Sequence, residues 1–260
     1  IEVEKALGLA GRSQVEEYGI AKYNAECRSS VLKYKDLWDE LTDRMGYWVD
    51  QENPYITFEN DYIESIWWAL SELYKKGLLY KGHKIQWYSP GNGTVLSSHE
   101  VSLGYKNTQD PSIYVMFRKP DEEKTYYLAW TTTPWTIISN MALTINPKLD
   151  YVKLAHEYNN YIVAKDCVER VFGEEVTIIE EFKGKELLGN KYLPIFDYAL
   201  QEYDIEQAWK IIPASYVTID DGTGIVHTAP AYGADDFEAC AKAQIPMFNP
   251  IDRDGCFTDQ

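Results

Sequence analysis

The sequence predicts a chain of mixed α and β structure, with a helical segment over residues 1–90 followed by a β-rich, barrel-like domain over residues 91–260. Three observations predict it. Apolar residues recur at three- and four-residue spacing through the first third. From residue 111 onward, short runs rich in Val, Ile, Tyr and Thr alternate closely with Gly, Pro, Asn and Asp, the pattern of a closed or half-closed β-barrel. A hydrophobic content of 45% over 260 residues suffices for one large core or two smaller ones.

Ser13-Gln-Val-Glu16 has the form of a capping box and predicts a helix over 13–27, with Val15, Tyr18, Ile20 and Tyr23 on its apolar positions. A second helix is predicted over 30–45. There Val31, Tyr34, Leu37, Trp38, Leu41 and Met45 keep helical spacing, and Gly46 provides the stop. A third, over 61–76, carries Ile63, Ile66, Trp67, Leu70, Leu73 and Tyr74 on one face and ends at Gly77. Trp67 and Trp68 read as packing aromatics, since no polar group converges on them. Residues 78–106 are loop-rich. Strands are then predicted over 112–117, 125–130, 141–145, 151–155, 161–164, 176–180, 209–212 and 216–219, with a hairpin turn at 156–160 and a short helix over 165–172. A last helix opens at Asp235-Asp236 and continues through Phe237, Ala239, Cys240 and Ala243.

The balance of charge narrows the function. With 41 acidic against 25 basic residues the net charge is −16, whereas a nucleic-acid groove draws on clustered Lys and Arg. Any tRNA must take most of its affinity from protein outside this chain. Lys81 and Lys84, and Lys183 and Lys185, read as solvated surface. The four cysteines, Cys27, Cys167, Cys240 and Cys256, are scattered with no Cys-x-x-Cys, which fits reduced thiols rather than a disulfide framework or metal knuckle. There is no signal-peptide pattern and no apolar run of about eighteen residues, so a soluble cytoplasmic protein without a membrane partner is expected.

Two stretches carry chemistry. In Gly222-Thr-Gly-Ile-Val-His227-Thr-Ala-Pro-Ala-Tyr232-Gly233-Ala-Asp-Asp236, two glycines permit a tight turn and a short buried strand delivers an imidazole. A constrained loop then leads to two carboxylates at a helix start. Those carboxylates read equally as helix-start acids or as ligand groups. In Trp130-Thr131-Thr132-Thr133-Pro134-Trp135-Thr136, a strand runs into three hydroxyls where Pro134 stops regular pairing. A single threonine there would be ordinary strand; three before Pro-Trp form a cluster.

Together and in this order, the two stretches resemble the editing domain inserted in class I aminoacyl-tRNA synthetases for branched aliphatic amino acids. The wording is similar to the isoleucyl-tRNA synthetases; their valyl and leucyl relatives usually have Thr-Thr-Arg-Pro, where position 133 here is threonine. The first third resembles the same family in Glu-Glu-Tyr-Gly19, in Gly46-Tyr-Trp-Val-Asp50 and from Asn53-Pro-Tyr-Ile-Thr through Asn60-Asp-Tyr-Ile-Glu-Ser-Ile-Trp-Trp68. The family's ATP signatures, His-Ile-Gly-His and Lys-Met-Ser-Lys-Ser, are absent from this chain. The comparison therefore implies a monomeric fragment that does not itself activate an amino acid, with ATP and magnesium expected only for the parent enzyme, an isoleucine-tRNA ligase. Many members carry a zinc knuckle near residues 88–99. Tyr88 and Asn92 stand near its cysteine positions and His99 alone cannot make a tetrahedral site, so no metal is expected.

The resemblance implies hydrolysis of valine misattached to the 3′ end of isoleucine tRNA, and possible hydrolysis of valyl-adenylate, without a cofactor. An aminoacyl ester is already activated, so positioning water and stabilising the oxyanion can suffice. By resemblance Asp236 holds the substrate ammonium, and Thr131, Thr132 and Thr133 hold the terminal adenosine and the attacking water. Trp135 walls the pocket, His227 lines its side-chain end, and Tyr232 and Gly233 contact substrate. Two alternatives stand beside this reading. A threonine-nucleophile hydrolase requires a hydroxyl bonded directly to a basic imidazole. A non-catalytic tRNA-binding module requires a basic face.

Overall fold

The computed structural model describes residues 1–201, 203 and 206–258. The chain divides into two compact units, Ile1–His83 and Lys84–Gln260.

The first unit holds five helices: α1 Glu2–Leu7, α2 Gly11–Tyr18, α3 Ile20–Val31, α4 Lys35–Arg44 and α5 Asn60–Lys75. The helix expected over 13–27 is two helices, because Gly19 takes φ 105°, outside helical space, and divides them. The expected capping box does not form. The helix starts two residues earlier, and the Gln14 side chain accepts from the Ala10 N–H instead. The second expected helix begins only at Lys35, after a turn. The third lies within one residue of expectation at each end and stops before Gly77 at φ 69°. None of the five helices contains a buried residue within this chain, and Trp67 is 71% exposed. The apolar stripes on α4 and α5 are thus real in periodicity but uncovered here.

The second unit opens with a two-stranded ladder, β1 Tyr88–Ser89 with β2 Thr94–Val95, and helix α6 Ser98–Leu103. A true capping box starts α6: Ser97 Oγ accepts from the Glu100 N–H, and the Glu100 carboxylate accepts from the Ser97 N–H. The remaining strands are β3 Ile113–Arg118, β4 Thr125–Thr131, β5 Ala142–Ile145, β6 Asp150–His156, β7 Asn159–Ala164, β8 Thr177–Lys183, β9 Lys210–Pro213 and β10 Ile225–Thr228. Helices α7 Val168–Phe172, α8 Gly184–Leu187 and α9 Ala234–Lys242 lie between and after them.

The strands form a five-stranded sheet in the order β3-β4-β7-β6-β8 and a three-stranded sheet in the order β10-β5-β9. Among the described residues neither sheet closes into a barrel; the edges stay open. The strand expected over 216–219 is a turn, because Tyr216 and its neighbours tie themselves to other segments through side chains. One core joins both sheets, with Phe117, Tyr127 and Ile162 from the larger and Leu143, Ile211 and Ile225 from the smaller. Strand β10 lies against β4, which brings the two motif-bearing strands together. That approach depends on glycine. Gly224 has φ 73°, and a Cβ there would stand 2.3 Å from the Ala164 Cβ; Gly222 has φ 66° and meets the Trp130 ring.

Candidate active site

Strand β4 ends at Thr131, and Pro134 begins a 3₁₀ turn, Pro134–Ser139, that carries the rest of the first motif. Proline at the first position of this turn fixes φ and gives up an N–H that has no partner there anyway. The turn is held by its own hydroxyls. The Thr133 N–H donates to Thr131 Oγ1 at 3.0 Å, and Thr131 and Thr133 Oγ1 stand 3.2 Å apart. Thr136 Oγ1 donates to the Thr133 carbonyl at 2.9 Å and lies 3.4 Å from Thr133 Oγ1.

The second motif meets this row at a single bond. His227, on β10 and only 5% exposed, has Nε2 2.9 Å from Thr136 Oγ1. Its Nδ1 lies 2.8 Å from the Asn140 amide nitrogen, which also donates to the Ala142 carbonyl at 2.9 Å. Asn140 cannot be flipped: its Oδ1 accepts from the Tyr192 hydroxyl at 2.6 Å, while the Ala142 carbonyl can only accept. Nδ1 of His227 is therefore an acceptor, and the ring proton of the neutral imidazole sits on Nε2, pointing at Thr136. The proton chain runs from His227 to Thr136 to the Thr133 carbonyl. Burial pushes His227 down to about 4, so the ring is neutral at pH 7.

This direction weighs against one alternative. A threonine nucleophile needs an imidazole that accepts its proton, but here the imidazole donates to the hydroxyl and its other nitrogen is filled. The partner on Nδ1 is an amide, so no Ser-His-Asp-like relay exists either.

Asp236 is held by a different set of partners, beyond the end of β10. His227 and Thr228 are consecutive on a strand and face opposite ways. Thr228 faces Thr144 of β5, and their hydroxyls are hydrogen-bonded. The Asp236 carboxylate accepts from the Ala229 N–H at 2.9 Å, just past the strand, and from the Tyr216 hydroxyl at 3.1 Å. Asp236 is half-buried rather than exposed, and neither aspartate caps α9: its N-cap is Gly233 with no side-chain bond. Burial raises the Asp236 carboxyl above its ordinary range, opposed by the two hydrogen bonds. Asp235 is exposed.

The other expected residues distribute as follows. Thr132 is exposed and lies outside the hydroxyl row, and Trp135 is 60% exposed beside it. The Tyr232 hydroxyl is 3.3 Å from both Ser139 Oγ and Asn249 Oδ1, which pins the 229–233 loop beside the 3₁₀ turn. Gly233 packs under the Asp236 side chain, where a Cβ would come within 3.1 Å of its carboxyl carbon. Thr136, Asn140, Tyr192 and Tyr216 were not singled out as site residues by sequence reasoning. Thr136 was visible as the end of the first motif; Asn140 had no signal beyond following the turn, and Tyr192 and Tyr216 reach the site only through folding. Among the described residues, no cluster of three or more His, Cys, Asp or Glu side chains could hold a metal ion. Cys167 and Cys240 are buried free thiols, and Cys256 is exposed.

Residues 1–227 match the model of the class I tRNA synthetases (I, L, M and V), and the chain belongs to that family. Within it, the chain is 48% identical over 259 residues to the isoleucine-tRNA ligase of Clostridium novyi and 45% identical over 260 residues to that of Picrophilus torridus. Both alignments cover 100% of this chain and 25% of the relative, so the chain spans about a quarter of their length. The resemblance to isoleucyl-tRNA synthetases drawn from the two motifs thus extends over the whole chain. Among solved structures, GlLeuRS-CP1 aligns with 26% identity and a TM-score of 0.38, over 45% of this chain and 44% of that one. The editing domain of the P. knowlesi cytosolic leucyl-tRNA synthetase aligns with 17% identity and a TM-score of 0.37, over 48% and 54%. No described helix is long and apolar enough to cross a membrane.

Proposed function

We propose that this chain is the part of an isoleucine-tRNA ligase that hydrolyses valine wrongly attached to isoleucine tRNA. The observation that carries the reading is the hydrogen bond between Thr136 and His227, which joins two motifs 91 residues apart into one buried-to-exposed wall. The names of the relatives give isoleucine and tRNA, and valine is the branched amino acid one methylene smaller.

In this reading the substrate ester lies along the hydroxyl row, with its carbonyl toward Thr131 and Thr133 and the exposed Thr132 beside them. Water attacks the carbonyl carbon, the tetrahedral oxyanion is held by preformed hydroxyl and backbone donors, and the bond to the ribose oxygen breaks, releasing valine and the free tRNA end. His227 does not serve as the base, since the lone pair on Nδ1 is taken by the Asn140 amide and Nε2 carries the ring proton. It acts instead as a rigid surface that limits the length of the amino-acid side chain. Asp236 receives the ammonium through the acceptor sites its two internal bonds leave open. Trp135, exposed beside the row, offers an apolar face to the adenosine, and Tyr232 and Gly233 shape the loop between the two halves. The acidic surface fits a protein that acts on the tRNA terminus while the rest of the tRNA is held elsewhere.

The test is deacylation of valyl-tRNA specific for isoleucine by the chain, by Asp236→Ala and by Asp235→Ala. Asp236→Ala should abolish hydrolysis and Asp235→Ala should retain it. Equal loss in both, or full activity in Asp236→Ala, would remove Asp236 as the ammonium anchor.

A further inference from the structure

The carboxylate of Asp236 is aimed by a residue that neither motif contains. An aspartate in the first turn of a helix has two rotatable side-chain bonds and would ordinarily sweep several orientations. Here both oxygens are taken, Oδ2 by the Ala229 N–H and Oδ1 by the Tyr216 hydroxyl. The backbone donor, Ala229, lies in the loop that leads into α9, seven residues before Asp236. Tyr216 comes from elsewhere, the 214–224 connection between β9 and β10.

That connection is fastened on both sides of Tyr216. The Ala214 N–H donates to the Ile145 carbonyl at 2.8 Å, and the Asn146 amide donates to the Val217 carbonyl at 3.1 Å. Both anchors lie at the end of β5, so the phenol is referenced to the small sheet. An ionised carboxylate can only accept, so the bond to Asp236 takes the phenol's own proton. A carboxylate has about four acceptor positions, of which two are filled, and the two left over have directions set by the two filled.

We propose that Tyr216 is a positioning residue for substrate recognition, fixing the Asp236 carboxylate so that its free lone pairs meet the ammonium of the aminoacyl group. This rests on the reading of Asp236 as the ammonium anchor. A phenol that merely tied α9 to the β9–β10 connection would affect all ligands alike; one that aims the carboxylate affects only ligands with an ammonium.

The experiment measures binding by calorimetry of two non-hydrolysable probes to the 260-residue chain. One is adenosine carrying valine through an amide at the ribose. The other carries 3-methylbutanoate, with the same branched side chain and no ammonium. The chain should prefer the valyl probe. Tyr216→Phe, which removes one oxygen atom, should reduce that preference about tenfold, the scale of one hydrogen bond to a charged group, with the binding of the desamino probe unchanged. Asp236→Ala should abolish the preference, and adding Tyr216→Phe to it should change nothing further. If the chain shows no preference, or Asp236→Ala keeps it, the anchor itself is refuted and the proposal falls with it. If Asp236→Ala removes the preference while Tyr216→Phe retains it in full, or weakens both probes equally, the anchor stands and the role of Tyr216 is overturned.

Discussion

Lowering the pH from 7 to 4 drives a proton onto His227, where the fold provides no place for it. Nδ1 already accepts from Asn140, Nε2 already donates to Thr136, and His227 is only 5% exposed. A second ring proton would face the Asn140 amide hydrogens. Burial sets the folded value at about 4 against an ordinary 6.5. Between these values the unfolded chain holds more protons than the folded one, so stability rises with pH. The contribution is fully present above 6.5 and is lost as the pH falls through 4. Integrated, the loss is roughly 3 kcal/mol from pH 7 to pH 4, about 2 of it by pH 5. Carboxylates titrate over the same range, so the informative quantity is a difference from His227→Gln, whose amide can still donate to Thr136 but does not ionise. Denaturant unfolding of both chains at pH 7, 5 and 4 should show the parent losing roughly 3 kcal/mol more than the variant. Nitrogen NMR of the imidazole at pH 6 should show a neutral ring protonated on Nε2. A constant stability gap, or an imidazole that titrates near its ordinary value, would refute the buried neutral ring and with it the argument against His227 as a base.

Three further predictions follow from the same geometry. His227→Ala should allow the chain to release isoleucine from its own tRNA, since a rigid ring excludes a longer side chain by clash and a methyl does not; aminoacyl-tRNA hydrolysis with both amino acids is the measurement. Loss of valine hydrolysis with isoleucine still spared would instead make His227 part of the chemistry. Gly224→Ala should cost about 3 kcal/mol or more in unfolding free energy, from a left-handed backbone plus collision with Ala164. Gly189→Ala, also at positive φ but facing open space, should cost only about 1 kcal/mol. Zinc should not copurify: elemental analysis giving one zinc per chain would overturn the reading of residues 88–99 and point to His99.

Much of the architecture was legible because it is local. Apolar spacing located α5 to within a residue, and alternation with turn residues located most of the strands. What failed locally did so where a neighbour in space outweighed the pattern. Residues 216–219 have strand-forming side chains, but the anchoring of Ala214 and Val217 to β5 and the bond from Tyr216 to Asp236 leave no free ladder for them. The barrel-like alternation was present, yet two sheets sharing a core satisfy it without closing.

The candidate site divides along the same line. By itself the sequence determined which residues were available: the threonine row, the imidazole after two glycines, the adjacent aspartates and their likeness to one family, all contained in short contiguous stretches. The tertiary structure alone decided what each could do. It turned His227 into a donor by setting Asn140 against its other nitrogen, half-buried Asp236 beyond the end of β10, and brought in Tyr216 to hold it. The physical reason is that protonation, burial and hydrogen-bond direction are properties of an environment, and that environment is assembled from residues distant in the chain.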